Sequence, residues 1–315
     1  MLNVERLENR CLMSCDVGTR SSLVITGGFE DNLIVIADKG DGNLHIDCDG
    51  TIVDRTNVSS VTINTNFGND SIFYYIDGDT AGKATRLNIN GGGDNDTIDV
   101  DYSSWGNVSI DAMLTINLVG GTGDDNIYLS LGQINNRVSV VVNCGTGDDN
   151  FEGGLDGDLG GQSSLSVRAL MLSGDDAASF NVINDNVLDA LGRLDVIIDG
   201  GVGNDDLMVQ MECQLDAKTS VRLLGGVGDD ALNFDATIMA NTTEANSLTV
   251  IETGSSGNDR MVAAVVDSAL VGFIGSIDGG SGYDAVWAGD HDRQDNTLFR
   301  AVRSCEGLLS DYFVL

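Results

Sequence analysis

Gly120-Gly121-Thr122-Gly123-Asp124-Asp125 is the stretch on which the fold is decided. A Gly-Gly-x-Gly-x-Asp hexapeptide of this form recurs at Gly200 to Asp205, Gly225 to Asp230 and Gly279 to Asp284, and four intact copies in one chain mark an internal repeat. Weaker copies end at Asp31, Asp70, Asp96, Asp149, Asp176 and Asp259. The ten anchors are separated by 39, 26, 29, 24, 27, 29, 25, 29 and 25 residues, so the period is narrow after the first interval.

The flanks test these anchors, because a β-strand sends alternate side chains to one face. Two residues after the anchor stand Leu33, Ile72, Ile98, Ile127, Phe151, Ala178, Leu207, Leu232, Met261 and Val286, all apolar. Seven residues before it stand Val24, Ile63, Ile89, Leu118, Val142, Ala169, Ile198, Leu223, Glu252 and Ile277, where only Glu252 is polar and suggests a one-residue insertion. Each repeat therefore reads as strand, Gly/Asp turn, strand, loop.

A hairpin turn would need only one or two residues of positive φ and would leave the rest free to vary, whereas this six-residue turn barely varies. In a solenoid, equivalent turns stack at about 4.8 Å and each meets a copy of itself. The expected fold is all-β, a parallel β-helix or β-roll-like solenoid of about ten coils with the Gly/Asp turn stacked on one corner. The expected organisation is an N-terminal export motif or cap over residues 1–20, a repeat domain over 21–290 and a C-terminal cap over 291–315. The ends need covering because an open β-edge invites other chains to pair with it.

The composition agrees with a cation-loaded rod. Acidic residues outnumber basic ones 49 to 16, giving a formal charge of -33, with 41 glycines and no proline. Such charge alone would suggest disorder, but 42% of the residues are hydrophobic and many lie in alternating runs, so a core can form. Polyanionic partners are disfavoured on charge and nucleic acid is excluded, and the Arg and Lys residues form no basic stripe along the chain. No apolar run approaches the ~20 residues of a membrane-spanning helix. Cys11, Cys15, Cys48, Cys144, Cys213 and Cys305 are scattered without a CxxC pair, which argues for small core residues rather than a zinc site or a disulfide framework.

A stacked column of aspartates repels itself unless a cation intervenes. Calcium suits the turn, since it takes six to eight hard oxygen ligands in loose geometry and glycines let carbonyls approach. Magnesium resists dehydration and zinc prefers nitrogen and sulfur. The alternative, Asp and Gly as simple turn formers, stays open.

The hexapeptide with its apolar residue two places on resembles the repeats-in-toxin (hemolysin-type) motif GGxGxDxUx, and the resemblance covers most of Gly27 to Val286. It implies a parallel β-roll holding several calcium ions, up to one per gap between turns. The ligands it implies are Asp125, Asp205, Asp230 and Asp284 with the carbonyls of Gly121, Gly123, Gly201, Gly203, Gly226, Gly228, Gly280 and Gly282, followed by Asp70, Asp96, Asp149 and Asp259. Asp31 and Asp176 lie in degenerate copies whose sites are expected to be empty. The family stacks nonapeptides in tandem, two per coil, whereas single motifs recur here at 24 to 29 residues, which implies a larger coil with one calcium column.

The segment Val4-Glu5-Arg6-Leu7-Glu8-Asn9-Arg10-Cys11-Leu12-Met13-Ser14 resembles the LExRxLxS opening of large secreted or surface proteins of planctomycete-type bacteria and implies a role in export. Nothing marks catalysis. Lys39, Lys83 and Lys218 are far apart, His45 and His291 lack a nucleophile motif, and the turn accounts for pairs such as Asp124/Asp125. The expected function is a calcium-binding structural or adhesive module, extracellular or on a bacterial cell surface, with cell-surface or matrix components as partners. The alternatives are a calcium-triggered folding and export domain and, behind it, a β-helix polysaccharide lyase or hydrolase.

Overall fold

The computed structural model describes residues 21–76, 85–103, 109–189, 191–239, 247–267, 272–290, 299–303, 305 and 307–308. The expected N-terminal motif or cap, and most of the expected C-terminal cap, lie outside them. Every regular element among the described residues is a β-strand. Two large sheets, sheet A of 11 strands and sheet B of 13, carry the chain back and forth as a parallel β-solenoid. The chain runs along a strand of sheet A, through a Gly/Asp turn, and along a strand of sheet B, as in Leu114–Thr122 followed by Asn126–Leu131. It then returns to sheet A one level up, where Arg137–Thr146 pairs parallel with Leu114–Thr122.

The register explains the period. Val140 pairs with Ile116 on one side and Val167 on the other, while Ile127 pairs with Ile98 and Phe151. Equivalent residues stack on themselves, so the inward positions of every coil must all be apolar for one continuous core to form. Apart from Glu252 they are: the columns from Ile63 to Ile277 and from Ile72 to Val286 are buried. Cys48, Cys144 and Cys213 are buried, as the small-core-residue reading expects.

Three expectations need correction. The first anchor is not Asp31 but Asn32, since Ile34 pairs with Ile72 and is buried, whereas Leu33 and Val24 are exposed. Glu252 marks no insertion: it pairs with Leu223 and Ile277 in unbroken register and is fully buried in their column. The number of turns also differs slightly from the ten expected, while the parallel β-solenoid itself is as expected.

The long first interval has a physical cause. Leu44–Cys48 folds back antiparallel onto Leu33–Asp38 and Thr51–Arg55 antiparallel onto Leu44–Cys48, extending sheet B past its first parallel strand. This meander covers part of the N-terminal end of the solenoid. Its turn brings Asp49 under the first coil, where the Leu33 N–H donates to Asp49 Oδ1 at 2.6 Å and the Asn32 amide donates to Asp49 Oδ2 at 3.1 Å.

Candidate functional site

The turn is built by stacking. Its second and fourth positions hold positive φ, as at Gly121 (127°), Gly123 (117°), Gly201 (100°) and Gly203 (141°). A Cβ on Gly121 would overlap the Gly92 carbonyl, and one on Gly203 the Gly174 carbonyl; Gly226, Gly228, Gly280 and Gly282 meet the preceding coil in the same way. Glycine there lets one turn sit on the next without strain. Where the sequence departs from the pattern, Asn66, Leu172, Ser255 and Asp94 take positive φ despite their side chains. Asp176 therefore occupies a complete turn although its copy is degenerate.

Two columns of side chains run along this corner, one residue apart in sequence. The inner column is Asp70, Asp96, Asp125, Asp149, Asp176, Asp205, Asp230, Asp259 and Asp284, all buried. Each backbone N–H from Asn32 to Asp259 donates to Oδ1 of the next coil's Asp, at 2.7–3.0 Å. The outer column is Asp31, Asn69, Asn95, Asp124, Asp148, Asp175, Asn204, Asp229, Asn258 and Tyr283, all exposed. Here the polarity reverses, since each N–H from Asn69 to Tyr283 donates back to Oδ1 of the preceding coil, at 2.7–3.0 Å. The acidic pairs that seemed uninformative in the sequence are thus two ladders of opposite direction.

The inner ladder leaves nine buried oxygens unmatched. Oδ2 of every inner Asp has no hydrogen-bond partner. Burial pushes the carboxyls of Asp96, Asp149, Asp176 and Asp230 up to about 7 and that of Asp125 up to about 6. The donated backbone N–H works against this rise, and neighbouring carboxylates add to it. Asp70, Asp205 and Asp259 are raised for the same leading reason.

The space beside Oδ2 has a defined lining. A Cβ on Gly120 would overlap Asp125 Oδ2 and lie 2.6 Å from the Cys144 carbonyl oxygen; on Gly200 it would overlap Asp205 Oδ2 and lie 2.7 Å from the Gly225 carbonyl oxygen. Gly91 and Gly254 repeat this with Asp96 and the Gly120 carbonyl, and with Asp259 and the Gly279 carbonyl. In the coil of Asp70 the position belongs to Thr65, whose hydroxyl donates to the Gly91 carbonyl at 2.6 Å. An unmatched carboxylate oxygen and a backbone carbonyl therefore converge beside the first turn residue.

This donor set fits a hard cation such as calcium, being oxygen throughout. Among the described residues no group of three or more His, Cys, Asp or Glu side chains is placed to hold a metal. The column supplies one carboxylate oxygen per coil, with backbone carbonyls beside it. The carbonyls facing Oδ2 belong to the first turn residue, whereas the glycines the family motif implies as ligands, Gly121 through Gly282, have the steric task described above.

Of the other residues considered for catalysis, Lys83 and His291 lie outside the described residues. His45 is exposed and contacts Asp54 at 2.7 Å. Stacking brings together basic residues that the sequence scatters. Arg137, Arg168, Arg193, Lys218 and Arg222 are exposed on the outer face of four successive strands of sheet A, accompanied by Asp195 and Asp199. Outward residues of sheet B are acidic instead, with Asp99, Asp101, Glu152, Asp206, Glu212 and Asp235 against Arg260. Among the described residues no helix is long and apolar enough to cross a membrane. Compared with known proteins, the chain matches no family model, no curated protein sequence and no solved structure.

Proposed function

We propose that this chain is a calcium-binding β-solenoid serving as a structural or adhesive module of a secreted or cell-surface bacterial protein. One observation carries the calcium reading: the inner ladder uses buried aspartate nine times although its hydrogen bond needs only an Oδ1 acceptor, which asparagine supplies as well. An Asn at Asp125 would keep the Oδ1 acceptor without placing a charge in a buried site. The outer ladder accepts Asn at positions 69, 95, 204 and 258, so the turn geometry tolerates it. Inside, Asn appears only at Asn32, where its amide donates to Asp49 at the end of the rod.

Carboxylates kept at that cost need a positive partner, because an unmatched buried oxygen costs about 1–3 kcal/mol. Asp70, Asp96, Asp125, Asp149, Asp176, Asp205, Asp230, Asp259 and Asp284 would hold the ions through Oδ2, together with carbonyls such as those of Gly120, Cys144, Gly225 and Gly279. Bound calcium would supply charge neutralisation and ties between successive coils. The same column favours the second reading, a domain that folds when it meets calcium outside the cell, since without the ion the column opposes its own formation.

The test is a calcium titration of chelator-treated protein, followed by calorimetry and far-ultraviolet circular dichroism. Several ions bound per chain with a gain in β structure or thermal stability is the expected result. A chelated protein that is fully folded and takes up no calcium would overturn the reading.

A further inference from the structure

The outer face of sheet A points to a second site, and we infer that it binds an acidic polysaccharide carrying one negative group per two sugars. The argument is one of spacing. Along a row at the start of the strands, Arg137 is followed by Ser164, Arg193 and Lys218. Four residues further along, Arg168 is followed by Ile197 and Arg222. Arg137 to Arg193 and Arg168 to Arg222 are each two strands apart, about 9.6 Å. That separation suits the disaccharide repeat of an extended polysaccharide.

Between the two rows lies a third, with Thr115, Ser139, Ser166, Asp195, Ser220 and Thr249 paired in unbroken order. Five of its six members are hydroxyls, able to donate to and accept from sugar hydroxyls. Asp195 interrupts the row and is bridged to Arg193. Arg168 and Arg222 at alternate strands on one side of a hydroxyl track, with Arg137, Arg193 and Lys218 on the other, describe a ligand with sparse charge and many hydroxyls. Duplex nucleic acid has far denser charge, one per ~1.7 Å, and meets the repulsion of the whole acidic chain. A second copy of this chain could present its acidic sheet B, but it would not use the hydroxyl row.

This gives the adhesive reading a ligand and rests on that reading for its place in function, though not on calcium. Hyaluronan, with one carboxylate per disaccharide, is the probe, and neutral dextran is the control. Both are assayed with the whole chain in calcium, at low and raised salt. Hyaluronan should bind in a salt-sensitive way and dextran should not. Arg168→Ser with Arg222→Ser should weaken binding about tenfold, from two exposed charge contacts, while the corresponding Lys variant retains most of it. Circular dichroism confirms that each variant is folded, separating this test from the calcium one.

The inference is overturned if the folded protein fails to retain hyaluronan, or retains dextran or single-stranded DNA as well. It is also overturned if the Ser variant binds like the parent. A salt-sensitive oligomer, dissolved by the Ser variant and indifferent to hyaluronan, would instead make the face an interface between copies.

Discussion

The two ladders of the Gly/Asp corner are neighbours in sequence and perform the same bond, a backbone N–H to a side-chain Oδ1 one coil away. They differ in environment. The outer one faces water, which serves any atom left over, and it mixes Asp, Asn and a terminal Tyr. The inner one is dry and holds only Asp between Asn32 and the last coil. Where water is present, an acceptor suffices and its charge is immaterial; where water is absent, a charge that costs free energy has to serve something beyond the hydrogen bond.

The broadest way to break the comparison is pH. In metal-free protein, inner carboxyls pushed up to about 6 or 7 keep their protons while the unfolded chain, with aspartates near 3.8, releases them. Their stabilising contribution is complete below pH ~4 and is lost as pH rises to about 7, at about 1 kcal/mol per pH unit for each independently titrating group. Thermal melting in chelator should therefore fall steeply between pH 4 and 7. Saturating calcium should flatten the profile, and an unchanged slope with calcium would remove the ion from the column.

Single-site effects come next. Asp230→Ala removes the acceptor of the Asp205 N–H in a dry site and should cost about 2–3 kcal/mol in calcium. Asp229→Ala, one residue away and exposed, should cost no more than about 1 kcal/mol by chemical denaturation. Equal costs would erase the distinction between the ladders.

Asparagine exchange sharpens it further. Asp230→Asn should raise the melting temperature of chelated protein and lower the number of bound calcium ions. Asp229→Asn should leave both nearly unchanged, within about 0.5 kcal/mol. Smallest is the strain at Leu172, held at a φ of 75° where most coils have glycine. Leu172→Gly should stabilise the protein by up to ~1 kcal/mol in a denaturant melt.

Glu252 extends the contrast to a carboxylate with no ladder at all. Neither of its oxygens is held in a well-formed hydrogen bond, and burial drives its proton affinity well above the ordinary glutamate range, with only the Phe234 backbone working against the rise. The column of Leu223 and Ile277 offers it nothing polar. Glu252→Leu should stabilise the chain by about 1–3 kcal/mol at neutral pH. A loss of stability would show that Glu252 has a partner of its own.

Much of the fold could be read from the chain because a solenoid repeats its local rules. Alternating apolar residues fixed the strands, glycines at two-residue spacing fixed the turn, and the near-constant interval fixed stacking. The errors arose where a neighbouring coil overrides the local pattern. Asp31 was mistaken for an anchor because Asp-Asn offers two acceptors in succession, and only pairing with Ser71 and Ile72 selects Asn32. Glu252 looked like a slip in register because its local sequence has no way to show that strands on both sides hold it in place.

By itself the sequence determined the strand and turn alphabet, the inward columns and the aspartates of the corner, since each follows from alternation along one strand and from glycine's access to positive φ. Tertiary structure alone decided the polarity of the two ladders, the nine unmatched oxygens and the basic track on sheet A. Those depend on which residue of one coil lies over which residue of the next, some 24 to 29 positions away in the chain. Interactions at that separation are set by stacking in space, and no window of local sequence contains them.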